Sequence, residues 1–131
     1  MSNTYQKGLK GEEIAVEYLE RNGYRILEQR YRFERAEVDL VCFDEPRPGH
    51  PGYIVFVEVK SRRTSSFGKP EDSVTEAKQR SIIKAAAAYL YESKMERALS
   101  RFDVIAIDLS GGQPEISHFK NAFDASDAYA D

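Results

Sequence analysis

Hydrophobic and polar residues follow one another along the chain in patterns that predict seven secondary-structure elements. Apolar residues at helical spacing favour a first helix from about Asn3 to Asn22, which Asn22-Gly23 ends. A second helix is expected from Ser73 to about Ser93, with Ser73 and Glu76 as a capping box. Strands are expected over residues 24–33, 36–43, 53–60, 101–109 and 115–119.

Two of these strands have patterns that indicate their place in a sheet. Residues 53–60 (YIVFVEVK) form a nearly continuous apolar run, which is typical of a central strand buried on both faces. Residues 24–33 mix apolar and charged side chains, which favours an edge strand. The order α-β-β-β-α-β-β then predicts an α/β fold in which helices flank a mixed sheet.

The length and the lack of internal boundaries predict one domain. The chain of 131 residues contains neither repeats nor a linker, so residues 1–131 are assigned to one domain with a frayed acidic tail from about residue 124. No apolar run approaches the roughly 20 residues that span a bilayer. The lone Cys42 excludes a disulfide framework and a cysteine-rich zinc site, and we therefore expect a cytoplasmic protein without membrane contact.

The charge is distributed unevenly along the chain. The formal net charge is −3, yet residues 58–101 hold ten lysines and arginines against six acids. Acidic segments lie on both sides of this basic segment. Such asymmetry can give an acidic protein one positive face, although solvated helix surfaces explain the same pattern.

Several acidic residues lie where an apolar residue is expected. Glu12 falls inside the apolar stripe of the first helix, and Asp39 interrupts the apolar strand AEVDLVCF. Glu58 and Lys60 share one face at the end of the central strand. Glu12 and the Glu58–Lys60 pair also have ordinary explanations, since Glu12 can turn to water near the helix start and Glu58–Lys60 can be an exposed ion pair.

The second helix also becomes polar at one end of its buried stripe. Extending the stripe by one turn toward the start of the helix reaches Lys78 and Gln79, where the alternative is fraying into solvent. Taken together, three carboxylates and nearby cationic side chains indicate one site. Oxygen ligands without His or thiolate suit Mg²⁺ or Mn²⁺, and a lysine beside such an ion suits phosphodiester hydrolysis.

The motifs resemble a known group of nucleases. Asp39 followed by Glu58-x-Lys60 resembles the PD-(D/E)XK superfamily, which has a restriction-endonuclease-like fold. In order, the segments KGEEIAVEYLERNGYRIL, AEVDLV, IVFVEVKSRR, FGKPEDSV, KQRSI and RFDVIAI look like the bacterial YraN-like family, most of whose members have no assigned function. The resemblance extends from about Gly8 to Phe123.

The resemblance implies roles for particular residues and a fold similar to archaeal Holliday junction resolvases. Glu12 matches the helical acid, Asp39 and Glu58 match metal ligands, and Lys60 matches the catalytic lysine. Gln79 lies where related nucleases carry a helical glutamine. Ala36 stands where the family often has glycine. Asp103 matches a family motif, but no physical role follows for it.

Basic residues near these motifs are candidates for binding phosphates. Arg62 and Arg63 follow the Lys60 end of the central strand, and Lys78 belongs to the polar end of the second helix. Arg30, Arg32 and Arg35 are interleaved with aromatic residues, although charges that protect a strand edge explain them equally well.

These observations lead to a functional hypothesis with alternatives. We expect a nucleic-acid-binding protein that acts as an endonuclease with Mg²⁺ or Mn²⁺, on DNA rather than RNA, with branched DNA of repair or recombination as one substrate. The alternatives are a binding module without turnover and a protein-interaction adaptor on the same fold. Because so few phosphate contacts are available, a homodimer or a protein partner would help binding.

Overall fold

The computed structural model describes residues 4–63 and 74–125, in which the predicted order of elements is confirmed. The two helices are α1 (Thr4–Arg21) and α2 (Glu76–Glu92). The five strands are β1 (Arg25–Phe33), β2 (Ala36–Asp44), β3 (Tyr53–Arg62), β4 (Leu99–Asp108) and β5 (Glu115–Phe123).

The strands form one sheet in the order β1-β2-β3-β4-β5. Neighbouring strands are antiparallel except β3 and β4, which are parallel and are connected through α2. The predictions of β3 as the central strand and β1 as an edge strand are therefore confirmed. The α/β class with a mixed sheet and helices is confirmed as well.

Each helix covers one face of the sheet. Along β3, Val55 and Val57 pack with Ala15 and Leu19 of α1, whereas the alternating residue Phe56 packs with α2. Because successive side chains of a strand point to opposite faces, a strand covered on both sides must be apolar throughout. This explains the nearly continuous apolar run in the sequence of β3. Neither helix in the described part of the chain is long and apolar enough to cross a membrane.

The start of α2 differs from the prediction. Ser73 lies outside the described residues, and the N-cap is Thr75, whose hydroxyl oxygen accepts a hydrogen bond from the backbone N–H of Lys78 at 3.2 Å. Thr75 has the extended backbone that an N-cap requires. The predicted strand 115–119 continues to Phe123, and residues 126–131 of the predicted acidic tail lie outside the described residues.

The paired stretch of β2 and β3 is shorter than either strand. Their ladder runs from Asp44 opposite Tyr53 to Leu40 opposite Val57. The next residues along the two strands are Asp39 and Glu58, the carboxylates that interrupt the apolar pattern. The end of this ladder therefore brings the two acids together.

Candidate active site

Asp39 is held at the end of the β2–β3 ladder by a backbone hydrogen bond. Its carboxylate Oδ2 accepts a hydrogen bond from the N–H of Val59 at 2.8 Å. The aspartate side chain thus satisfies a donor on β3 just beyond the last residue pair of the two strands. This contact explains why an aspartate, a poor strand former, occupies this position in β2.

Glu58 is buried between the sheet and two lysines. Its side chain is only 5% exposed, and its Oε2 atom lies 3.4 Å from Nζ of Lys60 and 3.7 Å from Nζ of Lys78. The other oxygen, Oε1, is buried and has no hydrogen-bond partner among the described residues. A buried carboxylate oxygen without a partner costs free energy, so this atom is suited to bind a proton or a cation.

The charge of Glu58 affects the ionisation of Asp39. Burial raises the pKa of Asp39 to about 7, and the nearby negative charge of Glu58 contributes to the rise. The N–H of Val59 and the ammonium of Lys78 oppose this effect. Near neutral pH Asp39 therefore retains its proton in part of the molecules, and a divalent cation could replace that proton.

Glu12 reaches the neighbourhood of these carboxylates because α1 packs closely against β3. A Cβ atom on the buried Gly11 would lie 2.9 Å from the hydroxyl oxygen of Ser61, so glycine permits this approach. Glu12 itself forms an ion pair with Arg30, whose Nε atom lies 3.3 Å from Oε1 of the glutamate. Burial raises the pKa of Glu12, Arg30 lowers it, and the charge of Asp39 raises it further.

The predicted set of three metal ligands is not assembled in this structure. Within residues 4–63 and 74–125, no group of three or more His, Cys, Asp or Glu side chains is placed to hold a metal ion. Asp39 and Glu58 lie together, whereas Glu12 is engaged by Arg30. The carboxylate of Glu12 faces a guanidinium in this conformation, and its assignment as a direct metal ligand stays a prediction.

Two helical residues predicted for the site have different surroundings. Lys78 reaches Glu58, as described above. The side-chain amide of Gln79 donates a hydrogen bond to the backbone carbonyl of Val74 at 3.0 Å, which stabilises the start of α2. The structure therefore gives Gln79 a role in the helix start, and its catalytic assignment stays a prediction.

The predicted phosphate-binding arginines fall into two groups. Arg30 and Arg32 form ion pairs, with Glu12 and with Glu37 at 3.2 Å respectively. Arg62 ends β3 and is half-buried, whereas the adjacent Arg63 is exposed. Arg62 and Arg63 thus lie at the end of the strand that carries Glu58, and their assignment to phosphate binding stays a prediction.

A second buried ionic cluster explains Asp103, for which the sequence suggested no physical role. Arg101 donates two hydrogen bonds of 2.9 Å to the Asp103 carboxylate, and it donates further ones to Asp44 at 3.0 Å and to the Tyr24 hydroxyl at 2.8 Å. His118 Nε2 lies 2.7 Å from Oδ2 of Asp103, an oxygen that also accepts a hydrogen bond from Arg101. The spacing Arg101-x-Asp103 places both side chains on one face of β4, and this was the signal that the sequence reasoning missed.

The comparisons with known proteins agree on one family. Its sequence model, described as the uncharacterised protein family UPF0102, matches residues 11–107. A UPF0102 protein of Geobacter metallireducens is 46% identical over 117 residues, which cover 89% of this chain and 91% of that protein. A UPF0102 protein of Syntrophotalea carbinolica is 44% identical over 124 residues, covering 92% and 96%. The matched range contains the carboxylates and lysines described above.

Proposed function

We propose that this chain, which belongs to the UPF0102 family, is a metal-dependent endonuclease that hydrolyses phosphodiester bonds in DNA. The observation that carries the proposal is the buried Oε1 atom of Glu58, which lacks a hydrogen-bond partner in the described part of the chain and belongs to a carboxylate beside Asp39. A buried pair of carboxylates that is incompletely satisfied is unfavourable for stability alone, so it indicates a function.

The donor set fits Mg²⁺ or Mn²⁺. These cations prefer oxygen ligands, and Mg²⁺ commonly takes one or two carboxylates while water fills its remaining positions. Asp39 and Glu58 are the residues that would hold the ion. When bound, such an ion polarises a phosphate oxygen and lowers the pKa of a coordinated water.

The lysines supply positive charge for the substrate. Lys60 is 37% exposed and Lys78 is 40% exposed, although both approach the buried carboxylate of Glu58. Their ammonium groups can therefore contact a phosphodiester from the solvent side and stabilise the charge that develops on its oxygens. Lys60 lies on the same strand as Glu58, two residues further along, so both side chains point to the same face of the sheet. Lys78 comes from the first turn of α2.

The fold and the surrounding arginines are compatible with nucleic acid as the substrate. A mixed sheet with helices on both faces, and with paired acids at the end of its central strands, supports a restriction-endonuclease-like architecture. The resemblance to Holliday junction resolvases makes branched DNA our first choice of substrate. The exposed Arg63 at the end of β3 is a candidate for a phosphate contact.

The experiment compares wild type with Lys60→Met on branched, flapped, single-stranded and duplex DNA, each with Mg²⁺ and with Mn²⁺. The methionine keeps a long apolar stem but removes the charge. We expect binding within several-fold of wild type and cleavage reduced by about a hundredfold or more. The matched control is Lys84→Met, because Lys84 pairs with Glu34 on the surface at 2.8 Å. We expect this variant to cleave DNA as wild type does.

Three outcomes would contradict the proposal in different ways. Equal cleavage by wild type and Lys60→Met would remove the lysine from catalysis. Binding of DNA by wild type without cleavage of any substrate would favour the binding module that lacks turnover. Absence of both binding and cleavage would favour a protein-interaction adaptor.

A further inference from the structure

Arg30 occupies an unusual place in the sheet. It has φ of 53° in the middle of strand β1, a left-handed backbone that side chains other than glycine rarely adopt. The register of β1 and β2 passes from Gln29 opposite Leu40 to Tyr31 opposite Val38. The position between these pairs holds Arg30 and Asp39, so the irregular residue lies level with a carboxylate of the candidate site.

The guanidinium of Arg30 forms an ion pair with Glu12, the predicted metal ligand that lies apart from Asp39 and Glu58. Its Nε atom donates to Oε1 of Glu12 at 3.3 Å, which is long for a charge-assisted hydrogen bond. The glutamate side chain is 15% exposed, whereas the arginine side chain is 38% exposed. Solvent therefore reaches the arginine more readily than the glutamate, and a phosphate could approach from that side.

Glu12 lies beside the candidate site because its partner Arg30 is level with Asp39 in the register of β1 and β2. The preceding residue, Gly11, packs against Ser61 of β3, the strand that carries Glu58. Glu12 is thus close to Asp39 but is neutralised by a guanidinium. A guanidinium can bind a phosphate through two parallel hydrogen bonds, which makes a DNA phosphate a strong competitor for the long contact between Arg30 and Glu12.

We propose that Arg30 and the cation site compete for Glu12, and that a DNA phosphate decides the competition by binding Arg30. In the absence of DNA, Arg30 holds Glu12 and the cation site contains only Asp39 and Glu58. Once a phosphate binds the guanidinium, Glu12 becomes available as a third carboxylate. Arg30 is therefore a positioning residue that couples substrate binding to completion of the ligand set. This inference rests on the proposed function.

The test measures Mn²⁺ affinity by titration calorimetry without DNA, so that its readout is independent of cleavage. We expect Arg30→Gln to bind Mn²⁺ about tenfold more tightly than wild type, because a released carboxylate adds a ligand. Glu12→Gln alone should change the affinity by no more than about twofold, because this residue is held by Arg30. The double variant should lose the gain and return to the affinity of Glu12→Gln.

The double variant distinguishes release of Glu12 from a general effect of charge. If removal of a positive charge alone tightened binding, the gain would persist in the double variant, and that result would overturn the proposal. Arg25→Gln is the matched control, because it removes another arginine of β1, one that lies over the Phe43 ring, and it should leave the Mn²⁺ affinity unchanged. Arg30→Gly accommodates the left-handed backbone and should reproduce the gain of Arg30→Gln if the fold is maintained.

The remaining outcomes separate this inference from the proposed function. Equal Mn²⁺ affinity in wild type and both Arg30 variants, together with loss of binding in Asp39→Asn, would overturn the competition and leave the cation site intact. Absence of Mn²⁺ binding in every variant would contradict both.

Discussion

Within the described residues, carboxylates are buried in two regions, which differ in how completely their oxygen atoms find hydrogen-bond partners. In the cluster around Arg101, the carboxylate of Asp103 accepts hydrogen bonds from Arg101 and from the N–H of Asn121, and it contacts His118. At the candidate site, Glu58 has two lysines near one oxygen and no partner in the described residues for the other.

The pKa values of the two aspartates shift in opposite directions for this reason. Burial alone would raise the pKa of Asp103, but hydrogen bonds from His118, Arg101 and Asn121 together hold it below its ordinary value. Burial and Glu58 raise the pKa of Asp39 to about 7. A carboxylate with all its hydrogen-bond partners inside the protein thus stabilises the fold. A buried carboxylate that lacks partners is stabilised only when a ligand such as a cation binds it.

The largest expected effect comes from removing the arginine of the satisfied cluster. Arg101→Met leaves Asp103 and Asp44 buried without their cation, and we expect the free energy of unfolding to fall by about 3–5 kcal/mol. Such a loss is a large share of the stability of a domain of this size. Urea denaturation at pH 7 measures it. A loss below about 1 kcal/mol would show that solvent compensates for the missing guanidinium.

The second prediction concerns the unsatisfied region and depends on pH. Because the folded protein retains a proton on Asp39 that the unfolded chain releases, its stability falls as pH rises from about 4 to 7. Asp39→Asn removes this cost, while the amide oxygen can still accept from Val59. We expect the variant to be more stable than wild type by about 2–4 kcal/mol at pH 8.5, and the difference to vanish near pH 4.

The control for this profile is the other aspartate. Since the folded pKa of Asp103 is lowered, its contribution is present at neutral pH and is lost as pH falls below the ordinary aspartate range. Asp103→Asn should therefore be less stable than wild type at pH 7, with a smaller difference in acid. Denaturation curves across pH measure the change in the free energy of unfolding of each variant relative to wild type. If this change had the same sign for Asp39→Asn and Asp103→Asn, the comparison would be contradicted.

Much of the fold followed from patterns in the sequence, because burial on both faces forces a strand such as β3 to be apolar. The paired acids could be located for the same reason, since Asp39 and Glu58 interrupt that pattern. The pairing of Glu12 with Arg30 could not be predicted, because it joins a helix to a strand residue whose backbone is left-handed instead of extended. Periodicity contains no information about such an irregularity.

The role of Asp103 was missed for a related reason. An acid in an apolar strand signals either a functional site or a structural ion pair, and the sequence does not name its partners. Arg101 is two residues away, but Asp44 and His118 come from other strands. Only the register of the folded sheet brings these groups together.

The smallest effect tests the helix that connects the two regions. Helix α1 carries Glu12 beside the candidate site and Tyr18, whose hydroxyl lies 3.0 Å from His118, beside the satisfied cluster. Gly11→Ala adds a Cβ atom 2.9 Å from the Ser61 hydroxyl oxygen and 3.1 Å from its Cβ.

The resulting overlap costs about 1–3 kcal/mol, which the better helix propensity of alanine offsets by about 1 kcal/mol. We therefore expect a net loss of about 1 kcal/mol in the free energy of unfolding. A second substitution, Ser61→Gly, removes both atoms that the new methyl group meets, so the double-mutant cycle should show a coupling of about 1 kcal/mol. Additive effects would mean that α1 shifts freely, in which case the close packing of Gly11 on β3 does not fix the position of Glu12.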